Sequence, residues 1–166
     1  MCGEGKASGP EGPSVANCRP EDLPEIEQIL KLSSEAADWS AEALADTLRR
    51  HPTCFFVARA ENRVAGFVCG RIVADEAEIL NLAIRPELRN RGIGKALVGK
   101  LLHTFILQGV AQVFLEVRKS NATAIAFYHH LGFRQVGERP GYYQNPTEPA
   151  LVLARKPVSP DGRSSP

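Results

Sequence analysis

Residues 79–107 constrain the fold more than any other stretch. An apolar run, ILNLAI at 79–84, is followed by the breaker Pro86 and then by a glycine-bearing turn, RNRGIG, at 89–94. Beyond the turn, Ile93, Leu97, Leu101, Leu102 and Phe105 recur at three- and four-residue spacing, the period of an amphipathic helix. The order is strand, loop, glycine turn, helix. The first N–H groups of such a helix lack partners within it, and its dipole favours negative charge at that end. Gly92 and Gly94 carry no β-carbon, so a bulky anion can approach the backbone. Arg89, Arg91 and Lys95 add positive charge, and Asn90 and Ile93 complete the turn. These residues form a candidate phosphate site. The plainer reading is a surface helix with solvated basic side chains.

The spacing excludes two common phosphate binders. There is no third glycine of a dinucleotide turn and no lysine-serine ending of a P-loop. Composition narrows the partners. The 166 residues carry a net charge of +1 and a pI of about 7.7, so no basic excess points to nucleic acid. No apolar stretch is long enough to cross a bilayer, and the first residues lack the apolar core of a signal peptide. A cytoplasmic protein without a membrane partner is expected. Cys2, Cys18, Cys54 and Cys69 have no C-x-x-C spacing, which argues against zinc and against a disulfide framework.

Read in order, residues 1–13 form a polar, Gly- and Pro-containing tail, residues 14–156 a single domain, and residues 157–166 a second tail. Residues 14–18 read as a strand. Asp22 and Glu25 have capping-box spacing at the start of a first helix. Ser40 caps a second, with Trp39 and Leu44 spaced as a hydrophobic staple. Residues 54–60 and 64–73 form a hairpin. In the run 79–84 the alternation fails, because Ile79, Leu80, Leu82 and Ile84 do not share one face; a bulge near Asn81 restores the phase. The 92-onward helix stops at Gly109, residues 113–117 form a strand, Asn121 caps a helix that Gly132 ends, and residues 133–143 and 150–154 close the sheet. The element order is β-α-α-β-β-β-α-β-α-β-β, an α/β mixed sheet with helices on both faces.

The turn fits Arg-x-x-Gly-x-Gly and resembles the acyl-CoA diphosphate loop of the GCN5-related N-acetyltransferase (GNAT) superfamily. The element order is also that of the superfamily, and the likeness covers nearly all of the chain between the tails. Residues 114–133, FLEVRKSNATAIAFYHHLGF, together with AEILNLAIRP at 77–86, Trp39-Ser40 and Tyr142-Tyr143, resemble the bacterial ribosomal-protein-alanine N-acetyltransferase branch, the RimI type.

The chemistry such an enzyme needs can be set beside these residues. An α-amino group, with a pKa near ~8, must lose a proton before it attacks a thioester. Glu116 is the candidate acceptor of that proton; a solvent-facing or Arg118-paired glutamate is the plainer reading. Tyr128 is the candidate acid for the departing sulfur, against ordinary packing in a helix stripe. The resemblance assigns those roles to Glu116 and Tyr128, and a CoA contact to Asn121 beyond its capping job. It also implies that strands 79–84 and 113–117 part, freeing backbone N–H groups at Leu82, Ala83 and Ile84 for the pantetheine arm and the carbonyl oxygen. Tyr142 and Tyr143 either line the peptide channel or pack on the strand. Arg118 and Lys119 read as solvated loop charges, and the four histidines as exposed or bland.

Two positions depart from the branch. Gly141 stands where asparagine is common, and Pro149 where an acidic residue is common. Proline cannot donate to a sheet ladder, so position 149 should be a strand start or an edge. The resemblance implies acetyl-CoA as cosubstrate, no metal, and a protein N-terminus as acceptor, such as the N-terminal alanine of a small-subunit ribosomal protein. A small-molecule amine acceptor and a non-catalytic CoA-binding module are the rivals. No cysteine lies beside a base in the motif region, which favours direct attack in a ternary complex over an acetyl-enzyme.

Overall fold

The computed structural model describes residues 12–158; most of each tail lies outside the described residues. The strands are β1 (Ser14–Asn17), β2 (Phe55–Ala60), β3 (Arg63–Val73), β4 (Glu76–Ile84), β5 (Gln112–Arg118), β6 (Arg134–Tyr143) and β7 (Glu148–Arg155). The helices are α1 (Leu23–Lys31), α2 (Ala41–Arg50), α3 (Ile93–Leu107) and α4 (Ala122–His130). The expected element order holds throughout. All seven strands join one sheet in the order β1-β2-β3-β4-β5-β7-β6. Its pairings are antiparallel except β4 with β5, which run parallel.

Each face of the sheet has its own core. Leu97, Leu101 and Phe105 of α3 pack with Phe56, Val68, Val113, Leu115 and Leu153, joined by Tyr128 of α4 and by Phe133. On the other face Ile26, Ile29 and Leu44 of α1 and α2 cover Phe55, Val57, Phe67 and Cys69. A fully buried side chain of this size contributes roughly 1.5–3 kcal/mol, so the α3 stripe is a main fastening of the sheet.

Local signals act largely as their chemistry requires. Ser40 accepts a hydrogen bond from the Ala43 N–H at 3.2 Å, and Trp39 packs in the same core cluster as Leu44. Glu61 and Asn62 take positive φ values of 54° and 57°, the geometry of a two-residue hairpin turn. The Asp22–Glu25 capping box does not form. The Asp22 carboxylate instead accepts from the Arg19 N–H at 2.9 Å and pairs with Arg59. Glu25 reaches β3, accepting from the Val64 N–H at 2.9 Å. A long-range partner wins in each case.

The break in alternation on β4 marks a real irregularity. Cys69 of β3 lies opposite Asn81, but its neighbour Gly70 lies opposite Ile79, so Leu80 is the extra residue. Before it, Ala77 and Ile79 face α3; after it, Leu82 and Ile84 do, while Leu80 and Ala83 turn to α1 and α2. β4 and β5 pair from Glu76↔Gln112 to Ile79↔Leu115 and no further. Beyond those four rungs they part.

Candidate active site

The parting of β4 and β5 opens into a cavity of about 680 Å³ on the α3 and α4 side. Leu82, Ala83 and Ile84 form its strand wall, and Arg89, Asn90, Gly92, Ile93, Gly94 and Lys95 its glycine-turn wall. Asn121 and Tyr128 close it from the side of α4. All but one of the candidate cofactor residues line this one space. Arg91 is the exception: it points away and pairs with Glu61 at 3.3 Å.

Gly92 is the N-cap of α3 with φ of 80°, a left-handed conformation that strains any residue with a β-carbon. A β-carbon there would meet nothing within 4 Å, so its backbone borders open space. Gly94 differs from expectation. A β-carbon on it would stand 3.2 Å from the Phe127 ring, so its smallness serves the packing of α3 on α4. The first turn of α3 carries no acidic residue, leaving its N–H groups and Lys95 as an uncompensated positive end. Asn121 caps α4 by accepting from the Ala124 N–H at 3.1 Å, and so fixes the helix that brings Tyr128 to the cavity.

Tyr128 is 8 % exposed and packs edge-on against Phe127 and Phe133. Burial pushes its phenol well above the ordinary range, with the nearby Cys69 thiol adding to the effect. The hydroxyl therefore keeps its proton throughout neutral pH.

Glu116 belongs to a different space. Leu115 and Val117 lie in the α3 core, so strand alternation turns Glu116 to the opposite face of the sheet. There it lines a cavity of about 490 Å³ with Arg71, Glu78, Phe114, Arg139 and Tyr142. The flanking apolar residues thus do not surround the carboxylate. Its neighbours are the Arg139 guanidinium, 3.0 Å away, and Tyr142, whose phenol is pushed up to about 12, chiefly by donating a hydrogen bond to Glu116. Glu116 and Tyr128 line different cavities, on opposite faces of the sheet.

Tyr142 and Tyr143 meet edge-on, with ring centres 5.0 Å apart, but have different surroundings. Tyr142 lines the Glu116 cavity, while Tyr143 is half-buried beneath the Arg118 guanidinium, 4.3 Å from its ring centre. Arg118 is not a solvated loop charge. It pairs with Glu148 at 3.0 Å, and Glu148 also accepts from the Ser120 hydroxyl and N–H. Arg118 and Ser120 together hold the Glu148 carboxyl below its usual range. This cluster fastens the β5–α4 loop to the β6–β7 hairpin. Lys119 pairs with Glu138 at 3.1 Å.

Two contributions were not foreseen. Ser33, Glu35 and Ala36, between α1 and α2, form part of the larger cavity's wall. Arg89 reaches them, donating to the Ser33 hydroxyl at 3.3 Å and lying 3.9 Å from Glu35. Arg139 is the second. Both depend on contacts between residues far apart in sequence, which local pattern does not encode. His130 also reaches the rim of the larger cavity while staying exposed.

The cavity fits an acyl-CoA on the chemistry of its walls. It joins a positive helix end, flanking cations and a strand edge with a free side.

Comparison with known proteins gives the same direction. The family model described as Acetyltransferase (GNAT) family matches residues 21–133. The chain is 32% identical over 143 residues to the ribosomal protein bS18-alanine N-acetyltransferase of Escherichia coli K12, covering 85% of this chain and 95% of that one. The solved structure of the Escherichia coli enzyme superposes with a TM-score of 0.78 at 30% identity, covering 92% of this chain and 99% of that one. Ard1 from Thermoplasma volcanium superposes with a TM-score of 0.83 at 28% identity, covering 90% of this chain and 100% of that one. With its strand parting, its glycine turn and these relatives, the chain belongs to the GNAT family of acetyltransferases.

Proposed function

We propose that this chain transfers acetyl from acetyl-CoA to the α-amino group at a protein N-terminus, with the N-terminal alanine of a small-subunit ribosomal protein as the first acceptor to test. The observation that carries the reading is the placement of Glu116 and Tyr128 on opposite faces of one strand parting. A ternary complex needs that division. The amine arrives on one side and gives up a proton, while the sulfur departs on the other and takes one.

Acetyl-CoA supplies the thioester. Arg89, Lys95 and the N–H groups opening α3 hold its diphosphate, and the free side of Leu82, Ala83 and Ile84 receives the pantetheine arm. A backbone N–H of this segment faces the charge that develops on the carbonyl oxygen. Glu116 accepts the amine proton through water, and Tyr128 returns a proton to the sulfur. The name of the Escherichia coli relative supports the acceptor class.

The test uses purified protein, acetyl-CoA, a panel of N-terminal peptides and a set of polyamines and aminoglycosides. Alanine-ended peptides are expected to be the best acceptors, and Glu116→Gln to lose turnover by about a hundredfold or more with acetyl-CoA binding retained in calorimetry. Preference for any small amine over every peptide defeats the acceptor assignment. Unchanged turnover in Glu116→Gln removes Glu116 as the base.

A further inference from the structure

Arg139 and Glu116 form an ion pair of unequal members. The carboxylate is 14% exposed and the guanidinium 61%. The pair exists because β6 carries an extra residue, Val136, between Gln135 and Gly137; Gly137 lies opposite Val152, the partner of Glu116, and Arg139, two residues on, shares that face. A second excess re-aims Tyr142. Arg139 lies opposite Ala150, but the next paired residue of β6 is Tyr143, opposite Glu148. Three residues of β6 thus span the place of one on β7, and Gly141 sits in the excess with φ of 62°. In a regular strand, residues three apart face opposite sides. Here Arg139 and Tyr142 line the same cavity, with the guanidinium 5.8 Å from the Tyr142 ring centre.

The guanidinium therefore stands on the solvent side of the carboxylate that the proposed function assigns to proton acceptance. An α-ammonium that is to pass its proton to Glu116, directly or through one water, must come to the place Arg139 fills. Two cations contend for one carboxylate there, and like charges at that distance repel. The exposed partner can leave without exposing a buried group, and exposed ion pairs are weak enough to be exchanged for another cation. Its stem retains the Tyr142 ring as a resting place.

We propose that Arg139 is a displaceable cap on Glu116, and that the acceptor's α-ammonium takes its place at the carboxylate. This inference rests on the proposed function. Acceptor recognition is then an exchange of one cation for another. The capped form withholds the site, and apparent acceptor affinity is reduced by the fraction of molecules that are capped.

The experiment compares wild type, Arg139→Gln and Arg139→Lys with an alanine-ended peptide and acetyl-CoA. Arg139→Gln is expected to lower the acceptor KM by about three- to tenfold, with kcat within about twofold of wild type and the KM for acetyl-CoA unmoved. Arg139→Lys retains a cation and should stay near the wild-type acceptor KM. An unchanged or raised acceptor KM in Arg139→Gln, beside an active wild type, overturns the cap alone. A fall in kcat larger than the change in KM also overturns it, because Arg139 then positions Glu116. Wild-type protein that acetylates no N-terminal peptide defeats the functional reading, and this inference with it.

Discussion

The side-chain amide of Asn81 donates to the carbonyl oxygen of Ala37 at 3.2 Å. Asn81 sits directly after the extra residue of β4, and Ala37 lies in the connection between α1 and α2. The bond therefore ties the strand that borders the cofactor cavity to the loop that overhangs it. Asn81 is 6 % exposed, so its side-chain amide has little water to replace the partner. Asn81→Asp sets an acceptor against an acceptor and is expected to cost about 1–3 kcal/mol of stability, read from urea midpoints. Because the loop then loses its anchor, the KM for acetyl-CoA should rise as well.

Gly141 gives a sharper test of a backbone requirement. Its φ of 62° is left-handed, a conformation that asparagine tolerates best among residues with a side chain and that β-branched residues resist. The asparagine common at this position in the resembling branch answers the same need, so the departure is conservative in conformation. Gly141→Asn should keep activity near wild type. Gly141→Val should cost about 1–2 kcal/mol and disturb the approach of Arg139 and Tyr142 to Glu116, lowering kcat/KM for the acceptor with no change in acetyl-CoA affinity by calorimetry.

Arg89 and Arg91 have the same charge and nearly the same position in sequence but different surroundings. Arg89 lines the cofactor cavity, and Arg91 is held at Glu61. Replacing Arg89 by alanine is expected to raise the dissociation constant for coenzyme A roughly tenfold, the effect of one charge-assisted contact. Arg91→Ala should change it less than about twofold, as for an exposed pair outside the cavity. Equal losses in the two variants would mean that the cavity does not distinguish them.

Alkaline pH should unfold the protein progressively. Burial raises the Tyr128 phenol and the Cys69 thiol, and the Cys18 thiol is pushed up to about 12 by burial and by Asp22. In the unfolded chain these thiols ionise near ~8.5 and the phenol near ~10. Below those values both states are protonated and the stability is complete. Above them the unfolded state holds fewer protons, so stability falls as pH rises. The loss is up to about 1.4 kcal/mol per pH unit for each fully buried group. Urea midpoints should be level from pH 7 to 8 and fall beyond about 8.5. Tyr128→Phe should have a shallower fall than wild type above about pH 10.

What could be read from the chain divides along physical lines. The glycine turn, the α3 stripe and the Asn121 cap depend on neighbours within a few residues, so their chemistry is visible in order. The β4 irregularity was also legible, because a failed period-two pattern in a buried strand has to be repaired by an extra residue. Glu116 stood out as a carboxylate in an apolar strand, but its surroundings could not be read. Leu115 and Val117 are neighbours in the chain and not in space, since alternation sends them to the other face. Arg139 was invisible for a related reason. Its arrival at Glu116 depends on a register shift between β6 and β7, and no periodic signal records how many residues a bulge absorbs. The role of Arg118 was lost in the same way, through a partner thirty residues distant at Glu148.

The four rungs that join β4 to β5 have a mechanical consequence. Among the described residues they are the only ladder between one half of the sheet, β1 to β4, and the other, β5 to β7. A molecule lodged in the gap above them would brace both halves like a wedge in a split beam. The loaded protein should then be stiffer than the empty one, with slower amide hydrogen exchange along residues 80–84 and 116–118.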